Sequence, residues 1–400
     1  MSWRETTLGE ITDLKRGFDL PKSQRLQGDV PVYSSSGITG SNSTAAVEGP
    51  CVITGRYGTI GEVFFSGGPC WPLNTALYST EFNGNNPRFI YYLLQTIPWQ
   101  GYTTASAVPG VNRNHVNLCP VKIPDRATQD AIVEVLDSIV DKIALNNRLN
   151  DYLADLCETI AGKYCNDRNS CLRDICYQVT DHVDYGNANQ ETYVSTESLM
   201  QNKGGRQLAS SLPTTGKITR YRIGDTLISN IRPYFKKIWY APFEGTCSGD
   251  VIVFRANDPS NAPYLHACLR QDSFFDYVMQ GAKGTKMPRG DKKQMMEFKV
   301  ASSCSTKDLI LLDSAIKQRS DNDSETVKLQ ALRDTLLPKL MSGEIDVSKV
   351  DLTQLTNNHL SGCGSFCSVC CLSGLASEFH EWFREHFFFG YGHLCKADLG

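Results

Sequence analysis

Leu136-Asp137-Ser138 returns as Leu312-Asp313-Ser314, and these two stretches decide the fold. Upstream, Val121-Lys122-Ile123 matches Phe298-Lys299-Val300, Val52-Ile53-Thr54 matches Leu227-Ile228-Ser229, and Leu8-Gly9-Glu10-Ile11 matches Leu172-Arg173-Asp174-Ile175. The matches keep their order, and their offset grows by about a dozen residues before it settles. That is the mark of one duplicated unit with insertions in the second copy. A chain built as two similar readers suits an object with two similar addresses, such as DNA.

Around Leu136 the texture is helical. From Thr128 to Ala161 there is no Gly or Pro, and apolar residues fall at Ile132, Leu136, Ile139, Ile143, Leu149, Leu153, Leu156 and Ile160. Spacings of three and four predict a long helix with a coiled-coil seam, roughly 50 Å from end to end. Asn146 falls on that seam, where one buried Asn can fix register. The second copy, from about Ser305 to Leu340, carries Leu309, Leu312, Ile316, Leu329, Leu332, Leu336 and Leu340. Its middle, Asp321-Asn322-Asp323-Ser324, is poor helix interior and is expected to bend or fray. Two such helices, each following a matching domain, most simply pack antiparallel and give the monomer a pseudo-twofold axis.

Residues 1–125 are rich in Gly, Pro, Ser, Thr and Asn, with short apolar runs such as Cys51-Val52-Ile53 and Val63-Phe64-Phe65. This predicts short strands between tight turns. One helix is expected over Pro87–Gln95, with a counterpart after Pro263 at Tyr264, Leu265, Cys268 and Leu269. The class is α+β. The expected segments are a first domain over 1–125, a long helix over 126–164, a second domain over 165–304, a second long helix over 305–350, and a tail over 351–400.

Four hundred residues, 41% hydrophobic and 21% charged, fit a soluble globular chain of two to three domains. No run reaches the length of a membrane span, and the N-terminus lacks the apolar core of a signal peptide, so a cytoplasmic location is expected. Ten of the fifteen cysteines are scattered over the first 350 residues, and reduced, mostly buried thiols are expected of them. The net charge of −3 argues mildly against nucleic acid, but its distribution argues for it. Lys217, Arg220, Arg222, Arg232, Lys236 and Lys237 face one acid, Asp225, in their stretch, and Lys283, Lys286, Arg289, Lys292, Lys293 and Lys299 face Asp291 and Glu297 in theirs. The first half lacks this excess.

The stretch from Gln129 through Ile143, followed by Asn146, Asn147 and Leu149, resembles the central conserved helix of type I restriction–modification specificity subunits. Leu332-Arg333-Asp334-Thr335-Leu336-Leu337-Pro338-Lys339-Leu340-Met341-Ser342-Gly343-Glu344-Ile345 resembles their distal conserved region, and Leu8-Gly9-Glu10-Ile11 their opening. The resemblance spans residues 1–350. It implies two target recognition domains joined by antiparallel helices, each domain reading half of a bipartite site in double-stranded DNA. It also implies docking of methyltransferase subunits on the helices and a restriction (translocase) subunit for cleavage, with no catalysis, cofactor or metal on this chain. Ser305 and Thr306 stand where the first copy has Thr128 and Gln129, a departure from a strict repeat.

Major-groove reading pairs Arg or Lys with guanine and Asn or Gln with adenine. Asn112, Arg113 and Asn114 supply such groups before the strand at Val121, and Lys283, Lys286, Arg289, Lys292 and Lys293 occupy the matching place in the second copy. In the resembled family a loop at this place faces DNA. An ordinary solvated loop is the alternative. A second pair of segments follows the matched strands: Arg56 and Tyr57 in one copy, Arg232, Lys236 and Lys237 in the other. A glycine-flanked Arg can approach a phosphate closely, although the glycines can equally serve a hairpin turn.

Two other function classes have some support in the residues. Asp276, Glu297 and Lys299 imitate a metal-dependent nuclease, but Pro120 stands where Glu297 would repeat, so the acid is not part of the duplicated design. A protein-only helical scaffold is disfavoured by basic loops matched between copies. Phe243-Glu244-Gly245-Thr246-Cys247 falls one glycine short of a methyl-donor loop, and no Walker phosphate loop is present. In the tail, Cys363, Cys367, Cys370, Cys371 and Cys395 with His380, His386 and His393 could supply a zinc site, but their spacing is irregular.

Overall fold

Tight turns between short apolar runs fold the first domain into small, mostly antiparallel sheets. The computed structural model describes residues 3–103, 110–164 and 169–349; the cysteine-rich tail lies outside them. The described residues fall into two units, 3–138 with 333–349, and 139–332.

In the first unit the chain runs through β1 (Trp3–Thr7), α1 (Leu8–Ile11), β2 (Lys15–Arg16), β3 (Val30–Ser34), β4 (Gly37–Asn42), β5 (Cys51–Gly55), β6 (Val63–Ser66), β7 (Trp71–Pro72) and β8 (Ala76–Ser79). It continues with α2 (Pro87–Thr96), α3 (Arg113–Asn117), β9 (Pro120–Pro124) and the start of α4 (Arg126–Tyr164). One sheet has the order β2–β8–β5–β6, another β4–β3–β7, and β1 pairs with β9. Because β5 is central, every one of its residues is buried, which is why it reads as a continuous apolar run rather than an alternation. The helix α2 starts where Asn86 accepts from the N–H groups of Arg88 and Phe89 and Pro87 fills the first turn. It buries Phe89, Ile90, Leu93 and Leu94, each contributing about 1.5–3 kcal/mol relative to exposure.

The second copy contributes β10 (Ser170–Cys171), α5 (Leu172–Ile175), β11 (Cys176–Gln178), β12 (His182–Asp184), β13 (Tyr193–Val194), β14 (Lys217–Tyr221), β15 (Thr226–Ser229), β16 (Ile238–Tyr240), β17 (Gly245–Cys247) and β18 (Val251–Ala256). Then come α6 (Ala262–Leu269), α7 (Asp272–Gln280), α8 (Lys292–Met295), β19 (Lys299–Val300) and α9 (Thr306–Ser342).

The duplication is topological as well as sequential. The sheet β11–β18–β15–β16 repeats β2–β8–β5–β6, and β10 pairs with β19 as β1 does with β9. Even single hydrogen bonds recur: Leu8 N donates to the Cys119 carbonyl at 2.9 Å, and Leu172 N to the Phe298 carbonyl at 3.0 Å. The copies differ in the other sheet. Both keep one parallel pair, β3 with β7 and β13 with β17, but the second copy adds β12 and β14 on the far side of β17. In the second copy Asp225, 1% exposed, opens β15 by accepting from Arg222 N at 2.8 Å and from two Arg255 nitrogens at 2.7 and 2.6 Å.

Within the second unit, α4 and α9 run antiparallel. Asn146 reaches Glu325, Asn150 reaches Asp323, and Tyr164 reaches Asp308, so one number rises as the other falls. The first long helix runs over Arg126–Tyr164. Two expectations are corrected. Leu149 is 38% exposed, and the seam passes through Asn150, 8% exposed, between Asn146 and Leu153. The polar middle of α9 does not fray: it lies inside one 37-residue helix. Asn322, 5% exposed, donates to Asn150 Oδ1 at 2.8 Å, and Asn146 donates to Glu325 at 2.7 Å and to Thr326 at 3.4 Å. Buried side-chain amides satisfied across the seam outweigh the weak local preference of Asn and Asp for helix.

The end of α9 is fixed by Gly343, whose φ of +77° is the left-handed conformation of a helix terminus. A Cβ there would lie 2.8 Å from the Trp3 ring. Gly343→Ala should therefore destabilise the first unit by about 1–3 kcal/mol in urea unfolding. An unchanged midpoint would show that the helix end relaxes freely.

Eight of the described cysteines are buried free thiols, and Cys304 is half-buried. Burial pushes Cys176 up to about 12 and Cys157 up to about 11, so both are neutral thiols near pH 7.

Candidate nucleic-acid interface

In each copy the chain leaving the central strand meets the segment that precedes the last short helix. After β5, Arg56 N and Tyr57 N donate to the Thr75 carbonyl at 2.9 and 3.2 Å, and Val111 N donates to the Arg56 carbonyl at 2.9 Å. Tyr57 bridges to Gly110, and only glycine fits: a Cβ at Gly110 would stand 2.3 Å from the Tyr57 ring. The Arg56 guanidinium lies 4.6 Å from the centre of that ring. Asn112 caps α3 by accepting from Asn114 N at 3.0 Å, which commits its oxygen and leaves its amide N–H groups as donors. Arg113, Asn114 and His115 follow on the first turn, all exposed. The segment placed by sequence on a turn before a strand is thus a capped helical turn.

The second copy repeats the plan with more charge. After β15, Ile231 bridges to Arg289, and Arg232 N donates to the Pro288 carbonyl at 2.8 Å. Lys283 and Arg289 exchange backbone hydrogen bonds of 2.9 Å in both directions, closing a hairpin that carries exposed Lys286 and Met287. Asp291 caps α8 as Asn112 caps α3, accepting from Lys293 N and Gln294 N, with Lys292 and Lys293 exposed on the first turn. Arg232 and Lys236 both adopt left-handed backbone, with φ of 51° and 49°.

Several of these cations are engaged by protein acids. Lys283 lies 3.0 Å from Asp291, and Arg289 lies 3.0 Å from Asp250. The Lys283 ammonium and the capping N–H groups hold the Asp291 carboxyl below its ordinary range. Lys236 lies 2.9 Å from Asp272, whose carboxyl it and Lys203 hold low. Lys237 donates to the Thr196 carbonyl at 2.6 Å, and burial lowers its ammonium from the usual lysine range. Tyr234, 46% exposed beside Arg232, was not singled out by sequence reasoning; its place after the matched strand, like that of Tyr57, was the available signal.

The residues that imitate a nuclease are occupied otherwise. Glu297 pairs with Arg173 at 2.5 Å, and Lys299 Nζ lies 3.1 Å from Cys171 Sγ. Among the described residues no group of three or more His, Cys, Asp or Glu is placed to hold a metal ion, and no helix is long and apolar enough to cross a membrane.

Two copies of one sheet each present a pair of joined, polar loops. Residues 1–155 match the family described as the type I restriction modification DNA specificity domain. The chain is similar to the specificity subunit of the type I restriction enzyme EcoDI of Escherichia coli, with 19% identity over 75% of this chain and 77% of that protein. It shares its fold with the crystal structure of a type I restriction–modification S subunit from M. genitalium: TM-score 0.56, 15% identity, 85% of this chain and 96% of that one covered.

Proposed function

We propose that this chain is the specificity subunit of a type I restriction–modification complex, reading a bipartite site in double-stranded DNA with one head in residues 1–125 and another in 165–304. The observation that carries the reading is the repeated pairing of two polar loops at the same place in both copies, Tyr57 with Gly110 and Ile231 with Arg289. The exposed Arg113 and Asn114 on α3, and Lys286, Lys292 and Lys293 around α8, supply donors for base edges and phosphates. Arg56 and Arg232 sit where the loops join and position the backbone. Methyl transfer and cleavage belong to methyltransferase and restriction subunits that dock on this chain, itself non-catalytic and cytoplasmic.

The test is a binding profile over randomised split sites. Arg113→Ala should relax recognition in one half-site and Arg289→Ala in the other, by about 1–3 kcal/mol each. Because Arg289 is held by Asp250, Asp250→Ala should free it and strengthen non-specific binding. Uniform weakening over all sequences in both Arg variants would show contact with phosphate only. Cleavage of plasmid DNA by the purified chain with Mg²⁺ would overturn the non-catalytic reading.

A further inference from the structure

Within the second unit, a cavity of about 460 Å³ lies between the α9 face around Arg319–Lys328, the strand β16, the segment 203–208 and the end of α6. That volume suits a small organic molecule. Its lining is electrically lopsided: Lys203, Arg206, Arg270, Arg319 and Lys328 against the carboxylates of Asp321 and Asp323.

Some of the cations are already matched. Lys203 lies 2.9 Å from both Glu158 and Asp272. Arg270, with a side chain only 8% exposed, donates to the Lys203 carbonyl at 3.1 Å and lies 3.3 Å from Glu158. The others are not. Arg206 donates to the Glu191 carbonyl and otherwise rests over the rings of Trp239 and Phe243, 5.5 and 5.3 Å from their centres. Arg319 Nε has no hydrogen-bond acceptor among the described residues, and the guanidinium charge acts on Asp323 without a close ion pair. In all three arginines Nε is buried without a hydrogen-bond acceptor, since the Arg270–Glu158 contact lies outside hydrogen-bond geometry. Groups buried this way in a native fold call for a partner. Burial and the neighbouring Arg319 charge hold the Arg270 guanidinium down to about 10, and burial with both arginines holds buried His266 well below its ordinary range.

We propose that this cavity is a binding site for a small phosphate-bearing anion. Guanidinium forks match phosphate oxygens bidentately, and an anion between Arg270 and Arg319 would relieve their repulsion. The other wall, Leu208, Trp239 and Phe243, is apolar and aromatic and would accept an organic part of the ligand.

The full-length chain is titrated with inorganic tripolyphosphate and, separately, with a nucleoside triphosphate, each against sodium chloride of equal ionic strength. Heat of binding and Tm are the readouts. Saturable one-site binding with a raised Tm is expected, weakened about tenfold or more in Arg319→Gln. Val327→Glu places a carboxylate at an exposed position of the lining, leaves folding undisturbed, and should weaken binding as well. Equal affinity for the two probes assigns the site to phosphate alone; tighter nucleotide binding adds the aromatic wall, and either outcome supports the proposal. A signal reproduced by chloride, or binding untouched by both substitutions, overturns it. It is also overturned if duplex DNA displaces the probe and loses affinity in the same two variants, because the cavity would then be part of the DNA surface.

Discussion

Asp225→Ala is expected to lower the stability of the second unit by about 1–3 kcal/mol, the cost of leaving donors without their buried acceptor. The carboxylate is 1% exposed, takes both Arg255 nitrogens and caps Arg222 N, so its removal orphans three donors at once. The loss should be local. In the first copy Pro50 precedes the matched strand, and no equivalent ion pair exists there to break. Hydrogen exchange should show protection lost in β15 and β18 and retained in β5 and β8. Urea unfolding that shifts by less than about 1 kcal/mol would show that water replaces the carboxylate at little cost.

The spacer between half-sites is expected to lengthen by one or two base pairs when a helical turn is added to both long helices. Four residues inserted after Leu145 add about 6 Å of helix, and B-DNA advances about 3.4 Å per base pair. Asn146 faces Glu325 and Thr326, so the matching insertion belongs immediately after Thr326. There it leaves the contacts of Asn146 and Asn150 intact, whereas an insertion beside Asn322 would separate them. Four residues nearly restore the helix face, so the apolar seam continues. Methylation mapping should then report the same bases in each half-site at a wider separation. An unchanged spacer, or changed half-site bases, would show that the helices do not measure the distance.

Much of this architecture was legible in the sequence for a definite reason. The short matches at Val121–Ile123 and Phe298–Val300 are the strands that receive β1 and β10, and those at Val52–Thr54 and Leu227–Ser229 are the centres of the repeated sheets. Ladder positions constrain side chains on both faces, so they keep their resemblance when loops drift. The second sheets were not legible, because β7 and β13 have two residues each, too few to show an alternation. Leu149 was misplaced because spacings of three and four admit either Leu149 or Asn150 on the seam. The choice is made by Asn322, which lies far along the chain. The polar middle of α9 misled for the same reason: local propensity cannot see a partner helix. For the candidate interface, residue types were readable, but their engagement by Asp250, Asp272 and Thr196 was not.

The backbone bridges that tie Arg56–Tyr57 to Gly110–Val111, and Ile231–Arg232 to Pro288–Arg289, bear on how a head of this kind can change its address. Each pair of loops is joined by backbone hydrogen bonds, so an exchange in one loop should re-aim side chains carried by the other. Substitutions across a bridge should be epistatic: the effect of altering Arg113 will depend on whether Tyr57 still seats against Gly110, and single-residue recoding of one base will seldom succeed. New specificities are then reached more readily by exchanging a whole head, strand ends and loops together, than by walking there one side chain at a time.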